Sequence, residues 1–277
     1  MIPRIPIGST IEGFINFLVD NFSWLTKGFS AIMDTGLSAL EGGLLYLPPW
    51  LFIILATALA FRLTRKSGVA AFTLLGLGLI WNMGLWAATV STIALVLIST
   101  LTAIALGIPL GILAAVSTPI RRVVMPVLDV MQTMPAFVYL IPAIPFFGLG
   151  KVAAVFATVV FSMPPSIRLT CLGIQQVPRE LKECADAFGS TRWQRLVKLE
   201  LPLSTPTIMA GVNQTVMLAL SMVVIAAMIG AKGLGGEVWR AIQRLQMGAG
   251  FEAGIGIVIV AIILDRVLQR FGEKKQQ

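Results

Sequence analysis

The chain has no histidine among its 277 residues. That removes the side chain that most often titrates near neutral pH, relays protons or ligates metals, so His-based catalysis, proton relay and His metal sites are excluded. Cysteine is nearly absent too, with only Cys171 and Cys184. Both fall near one basic loop, and the expectation is reduced thiols rather than a bridge. Charge is scarce: Asp, Glu, Lys and Arg make up 12% of the chain, against 57% hydrophobic residues and a mean hydropathy of +0.89. No soluble domain of this size needs so much apolar surface, and the composition is that of an all-α polytopic membrane protein. No nucleophile–base pair stands out, which argues against an enzyme. Net charge is +8. In a soluble protein that excess points to nucleic acid. Here the cations sit in short segments between apolar runs, so lipid and membrane topology explain them and nucleic acid does not.

A spanning helix needs roughly 20 apolar residues. Seven stretches qualify, near 44–61, 69–88, 90–116, 124–147, 151–171, 205–229 and 249–269. With seven spans, one side holds Arg62, Arg65, Lys66, Arg121, Arg122, Arg168, Arg179, Lys182, Arg192, Arg195, Lys198, Arg266, Arg270, Lys274 and Lys275, which is 15 of the 21 Lys and Arg. The other side holds Arg4, Lys27, Lys151, Lys232, Arg240 and Arg244. The bias puts the N-terminus outside and the C-terminus in the cytoplasm of a bacterial inner membrane. Residues 1–43 form a separate N-terminal segment and 44–277 the transmembrane domain. The N-terminal segment lacks the continuous apolar stretch of a cleaved signal. It interleaves Ile15, Phe17, Leu18 and Phe22 with Glu12, Asn16 and Asp20. That spacing suits an amphipathic helix in the membrane interface, or equally one packed on the other spans.

The fourth stretch carries Pro126, Pro135, Pro142 and Pro145. Each internal proline removes a backbone hydrogen bond and bends a helix. A bend is expected near Met134-Pro135, with Met134, Pro135, Phe137, Tyr139 and Pro142 as candidates to line a passage. A kinked structural helix with packing aromatics fits the same residues.

The basic loop, about 178–202, is built like a docking surface. Pro178 suits a helix start, Glu180 and Glu183 suit its first turns, and Gly189 can end it in a left-handed turn. Thr191 with Gln194 makes a capping-box pattern for a second helix. That helix alternates Trp193, Leu196, Val197 and Leu199 with Arg192, Arg195 and Lys198, and Pro202 and Pro206 are expected to stop it before the next span. An amphipathic surface helix pair with no partner has the same pattern.

The order Glu183-Cys184-Ala185, three residues, Gly189, nine residues, Leu199, one residue, Leu201-Pro202 resembles the EAA loop of ABC importer permeases. It departs from the pattern E-A-A, x3, G, x9, I-x-L-P at Cys184 and Leu199, both small or apolar. Two further stretches, Met131-Gln132-Thr133-Met134-Pro135-Ala136-Phe137-Val138-Tyr139-Leu140-Ile141-Pro142 and Ile229-Gly230-Ala231-Lys232-Gly233-Leu234-Gly235, resemble the permeases for glycine betaine, proline betaine and choline. The resemblance covers roughly residues 70–270. It implies the type I importer permease core, a separate ATP-binding subunit that holds ATP and Mg, an extracytoplasmic substrate-binding protein and a second permease copy. It implies no cofactor in this chain. By the same resemblance Glu183, Ala185 and Gly189 shape the docking turn, and residues 190–198 carry the contact. The outer cations Lys232, Arg240 and Arg244 run against the topological bias and point to an acidic partner surface. An importer for trimethylamine N-oxide, carnitine, taurine or an amino acid shares the loop. An ion-coupled secondary transporter needs a central carboxylate or inverted repeats, and neither stands out.

Overall fold

The structure, a computed structural model, describes residues 7–273. Arg4, Lys274 and Lys275 lie outside them. Among the described residues there is no strand. The helices run in order α1 (Ile7–Asn21), α2 (Ser23–Tyr46), α3 (Pro49–Thr64), α4 (Ser67–Asn82), α5 (Trp86–Val116), α6 (Thr118–Thr133), α7 (Leu140–Phe147), α8 (Lys151–Ser162), α9 (Pro164–Gln175), α10 (Arg179–Ala187), α11 (Arg192–Arg195), α12 (Leu201–Ala227), α13 (Leu234–Gln243) and α14 (Met247–Glu273). A 3₁₀ turn (Ala136–Tyr139) precedes α7, and a π turn (Leu196–Glu200) joins α11 to α12.

Four helical runs are long and apolar enough to cross a membrane: Trp86–Val116, Lys151–Gln175, Arg192–Ala227 and Met247–Gln269. Two of the seven expected spans are not straight. Helix α2 meets α3 at 102°, and α6 meets the segment after it at 113°. Both breaks come where a residue is forced extended ahead of proline: Leu47 (ψ 128°) before Pro48 and Met134 (ψ 134°) before Pro135. Helix α4 is apolar but shorter, at 16 residues. By length and composition the described residues thus give four spans, or six with each bent pair taken as one, against the seven expected.

The centre of the bundle is α9 wedged between α5 and α12, with α8, α13 and α14 around them. Small residues let the backbones approach, because lipid gives helices no hydrophobic reason to associate and packing must do it. Ala94, Ala103, Ala153, Ala154, Ala157, Ala219 and Ala226 are fully buried. A β-carbon on Gly111 of α5 would lie 2.6 Å from the Ile167 carbonyl oxygen of α9. Several buried hydroxyls are satisfied locally: Thr100 donates to the Val96 carbonyl at 2.7 Å and Thr158 to that of Ala154 at 2.7 Å. Ser166 of α9 and Thr215 of α12 hydrogen-bond across the interface at 2.7 Å. Around this centre, the C-terminal half of α2 packs against the core through Met33, Leu37, Leu40 and Leu44. Ahead of it, Phe14, Phe17 and Phe22 are exposed. Helix α2 runs to Tyr46 without a break at residue 43.

The close contact at Gly111 generates a prediction. Gly111→Val places branched carbons against an α9 carbonyl and costs ~1–3 kcal/mol by overpacking. Thermal unfolding in detergent is expected to fall by several degrees. Gly78→Ala, where a β-carbon meets nothing within 4 Å, leaves the midpoint unchanged or slightly raised. Equal midpoints for the two variants count against close packing of α5 on α9.

Candidate docking loop and the elements behind it

Helix α9 ends at Gln175 and hands the chain to the loop. Lys182 Nζ donates to the Ile174 carbonyl at 3.1 Å, a cation at a helix C-terminus. Pro178, extended at ψ 138°, is the N-cap of α10, which opens with Arg179 and carries Glu180 in its first turn. Gly189 has φ +78°, a left-handed turn that glycine adopts without β-carbon strain. The Gly189 N–H donates to the Asp186 carbonyl at 3.0 Å and the Ser190 N–H to that of Ala185 at 3.1 Å, which closes α10. The capping box then starts α11: the Gln194 N–H donates to Thr191 Oγ1 at 3.2 Å, and the Thr191 N–H donates to Gln194 Oε1 at 2.9 Å.

One guanidinium holds the turn together. Arg195 Nη1 pairs with Asp186 Oδ2 at 2.5 Å and Arg195 Nε with Glu200 Oε1 at 3.0 Å. The Glu200 side chain is only 7% exposed, with Arg195 as its ion-pair partner. Arg195 therefore turns inward. It lines a cleft of about 600 Å³ with Lys182, Ser190, Arg192 and Glu200, closed behind by Ala115 and Val116 at the end of α5. The outward groups are aromatic: Phe188 is 87% exposed and Trp193 is 71% exposed. Glu183, Cys184 and Arg192 are exposed beside them, and Glu183 accepts an exposed ion pair from Arg179 at 2.7 Å. Ala185 and Leu199 are half-buried and Pro202 is exposed.

Pro202 and Pro206 do not stop the second helix. From Arg192 the chain runs as one 36-residue helical segment to Ala227. The wider π turn at Leu196–Glu200 takes up the register change ahead of Pro202, which occupies the first turn of α12. Within the continuous run Pro202 leaves one backbone hydrogen bond unmade, and the π turn ahead of it takes up the change.

Sequence reading passes over Phe188, Asp186 and Glu200. The signal for Glu200 is present: a carboxylate between two leucines, five residues after an arginine on the same amphipathic segment. Phe188 carries no such signal, since only the turn at Gly189 turns it outward.

At the bend, Met134 is half-buried, Pro135 exposed, Phe137 54% exposed and Pro142 half-buried. Tyr139 differs. It is buried, its hydroxyl donates to the Met131 carbonyl across the bend, and its ring stands edge-on to Phe161 at 5.6 Å. Phe147 stacks with Phe156 at 4.8 Å and Phe29 at 5.3 Å, so that aromatic is committed to packing. Asp129 of α6 pairs with Arg168 of α9. Asp265 accepts from Asn213 at 3.0 Å and from Gln269 at 2.8 Å and 2.9 Å.

The opposite end of the bundle holds the outer cations. Gly233, at φ +125°, lets the Leu234 N–H reach Thr92 Oγ1 at 2.8 Å and seats α13 between α5 and α12. Lys232 lines a cavity of about 300 Å³ with Lys151, Glu41 and Ser91. Lys151 is paired with Asp34 at 3.0 Å. Arg240 pairs with Glu237 at 2.8 Å, while Arg244 is the exposed C-cap of α13.

Comparison with known proteins places this arrangement. Residues 107–275 match the family model described as binding-protein-dependent transport system inner membrane component. The glycine betaine transport system permease protein OpuAB of Bacillus subtilis (strain 168) is 50% identical over 275 residues, 99% of this chain and 97% of that one. The glycine betaine/carnitine transport permease protein GbuB of Listeria monocytogenes serotype 1/2a (strain 10403S) is 50% identical, over 99% of this chain and 98% of its own. The glycine betaine/proline betaine transport system permease protein ProW of Escherichia coli (strain K12) is 46% identical, over 97% of this chain and 75% of its own. An inward-facing structure of the MetNI methionine ABC transporter matches with a TM-score of 0.59 at 22% identity, over 69% of this chain and 93% of that chain, a likeness of fold alone. The chain belongs to the family of binding-protein-dependent transport system inner membrane components, the membrane-embedded permeases of ABC importers.

Proposed function

We propose that this chain is the translocating subunit of an ATP-driven importer for glycine betaine and related quaternary amines such as proline betaine or choline. The observation that carries the reading is the helix–Gly189–helix unit, locked by Arg195 and presenting Phe188 and Trp193 outward. Buried aromatic and arginine anchors dominate protein interfaces, and exposed aromatics on a rigid turn are what a partner's cleft takes up. The partner is a separate ATP-binding subunit, which holds ATP and Mg; this chain contributes no catalytic group and no cofactor. The solute class is supported by the names of relatives at 46–50% identity that span nearly the whole chain.

The docking loop faces the cytoplasm, with the C-terminus on the same side and the N-terminus outside. The clustering of cations supports this orientation. Gly68, Val69 and Arg266 share one cleft, and the Arg192–Arg195 loop meets the end of α5. A second permease copy completes the passage as a homodimer, and Met134, Pro135, Phe137 and Pro142 lie along it. ATP favours one state of the motor, and the loops carry that preference into the spans. An extracytoplasmic binding protein delivers the solute and meets the outer end near Lys232, Arg240 and Arg244.

Proteoliposomes holding the permease, its ATPase and its binding protein test this reading. ATP-dependent uptake of radiolabelled glycine betaine is expected. Gly189→Asp is expected to abolish it, because a β-carbon at φ +78° strains the turn while the helices still insert. Uptake without ATP moves the assignment to a secondary transporter, and stimulated ATPase with neither glycine betaine nor choline moving discards the solute class. Trp193→Ala is expected to weaken capture of the ATPase subunit about tenfold or more, as for a typical interface anchor. Capture at wild-type affinity removes Trp193 from the docking surface. Replacing Lys232, Arg240 and Arg244 together with glutamine is expected to lower stimulation of ATPase by the loaded binding protein, most at low salt. Unchanged stimulation disposes of an acidic partner at that end.

A further inference from the structure

Between the docking loop and the bend at Met134, polar ties join each element to the next. Arg195 holds α11 to α10 through Asp186. Lys182 holds α10 to the last turn of α9 through the Ile174 carbonyl. Arg168, seven residues before the end of α9, pairs with Asp129 on α6. Tyr139 reaches back from beyond the bend to the Met131 carbonyl, two residues after Asp129. Among the described residues the Asp129–Arg168 contact is the one ion pair between α6 and another helix.

The two partners stand on unequal ground. Helix α9 is fixed at near-backbone distance between α5 and α12. Helix α6 buries only Leu128 and ends in a 113° break. The pair is also open on one side: the Arg168 side chain is 39% exposed and that of Asp129 is 66% exposed. What this one does is fix where a lightly seated helix stands against a rigid one. Arg168 Nε is buried and makes no hydrogen bond among the described residues.

We propose that the Asp129–Arg168 pair is the contact through which displacement of the docking loop reaches the α6–α7 bend, as a positioning pair that touches neither solute nor nucleotide. The proposal rests on the importer reading only in taking its drive from a docked ATPase. Coupling of this kind is established by showing that two sites bias one element, and a charge-reversed pair supplies that evidence.

The test uses the full transporter with Asp129→Asn, Arg168→Gln and the reversed pair Asp129→Arg/Arg168→Asp. Each single change is expected to leave assembly with the ATPase intact and to lower glycine betaine uptake per ATP hydrolysed about tenfold, with the reversed pair recovering most of it. A second readout needs no solute. In a background with Cys171 and Cys184 replaced by alanine, Phe137→Cys at the bend is labelled with a maleimide before and after trapping with ATP and vanadate. Labelling is expected to change on trapping with the native pair, to be insensitive to trapping with either single change, and to respond again in the reversed pair. Labelling that responds equally in all four overturns the proposal, as does uptake per ATP at the wild-type ratio in the single variants. Losses that merely track poorer assembly, with no rescue on reversal, also overturn it. Failure of glycine betaine to enter with the native pair discards the solute class, while the labelling comparison still decides the role of the pair.

Discussion

The close approach of α9 to α5 and α12 is the constraint on which the rest of the molecule depends. In lipid no hydrophobic force drives helices together, so backbones must come near enough for dispersion contacts and short polar links to hold them. Here that nearness is set by missing side chains. Gly111 leaves room for the Ile167 carbonyl, and Gly211 leaves room for that of Pro165, with a β-carbon there only 3.0 Å away. Because α9 is pinned on both sides, its end at Gln175 is a fixed point. The docking loop begins there. On the proposed docking, a loop hung from a mobile helix would dissipate a partner's push, whereas one hung from this helix would deliver it to the bundle.

The same environment explains how polar residues are used. Thr100, Thr158 and Ser162 inside the bundle return their hydroxyls to carbonyls one turn back, which satisfies them without a partner helix. Two polar links that do cross between helices are Ser166 with Thr215, in the first turn of α9, and Asn213 with Asp265, nearer the basic end of the bundle. Full charges are kept to the ends. Arg195 serves two carboxylates because a planar guanidinium can offer donors in two directions, which a lysine ammonium on a flexible stem cannot do with the same geometry. Replacing it by lysine would keep the charge and lose the brace.

Much of this was legible in the residues. The apolar runs gave the helices, Gly189 and Thr191 gave the turn and the cap, and Met134-Pro135 gave the bend. Each rests on a local rule, and local rules survive into the fold because the neighbouring residues obey them too. What could not be read is what depends on partners distant in sequence or on register. Pro202 and Pro206 look like stops, yet the π turn before them carries the helix on. Tyr139 looks like a passage residue until Met131 and Phe161 are seen to occupy it. Arg195 looks like one cation among three on a basic face, and only the fold brings Asp186 and Glu200 to it.

The continuous run from Arg192 to Ala227 and the broken run from Thr118 to Phe147 have different mechanical consequences. A 36-residue helix is roughly 54 Å long. Its first turns lie in the docking surface and its last reach the far end, where Gly235 packs against the Val223 carbonyl. Tilting such a rod at one end moves the other without any further joint. The bent segment behaves oppositely: α6 and α7 meet at 113° and turn about an extended Met134. Its response depends on where α6 is held, not on its own stiffness. The π turn at Leu196–Glu200 is an irregular point in the rod, and such turns commonly mark functional sites in helices. On the proposed coupling, the rod sets the direction of motion and the held bend sets how far the passage opens in response.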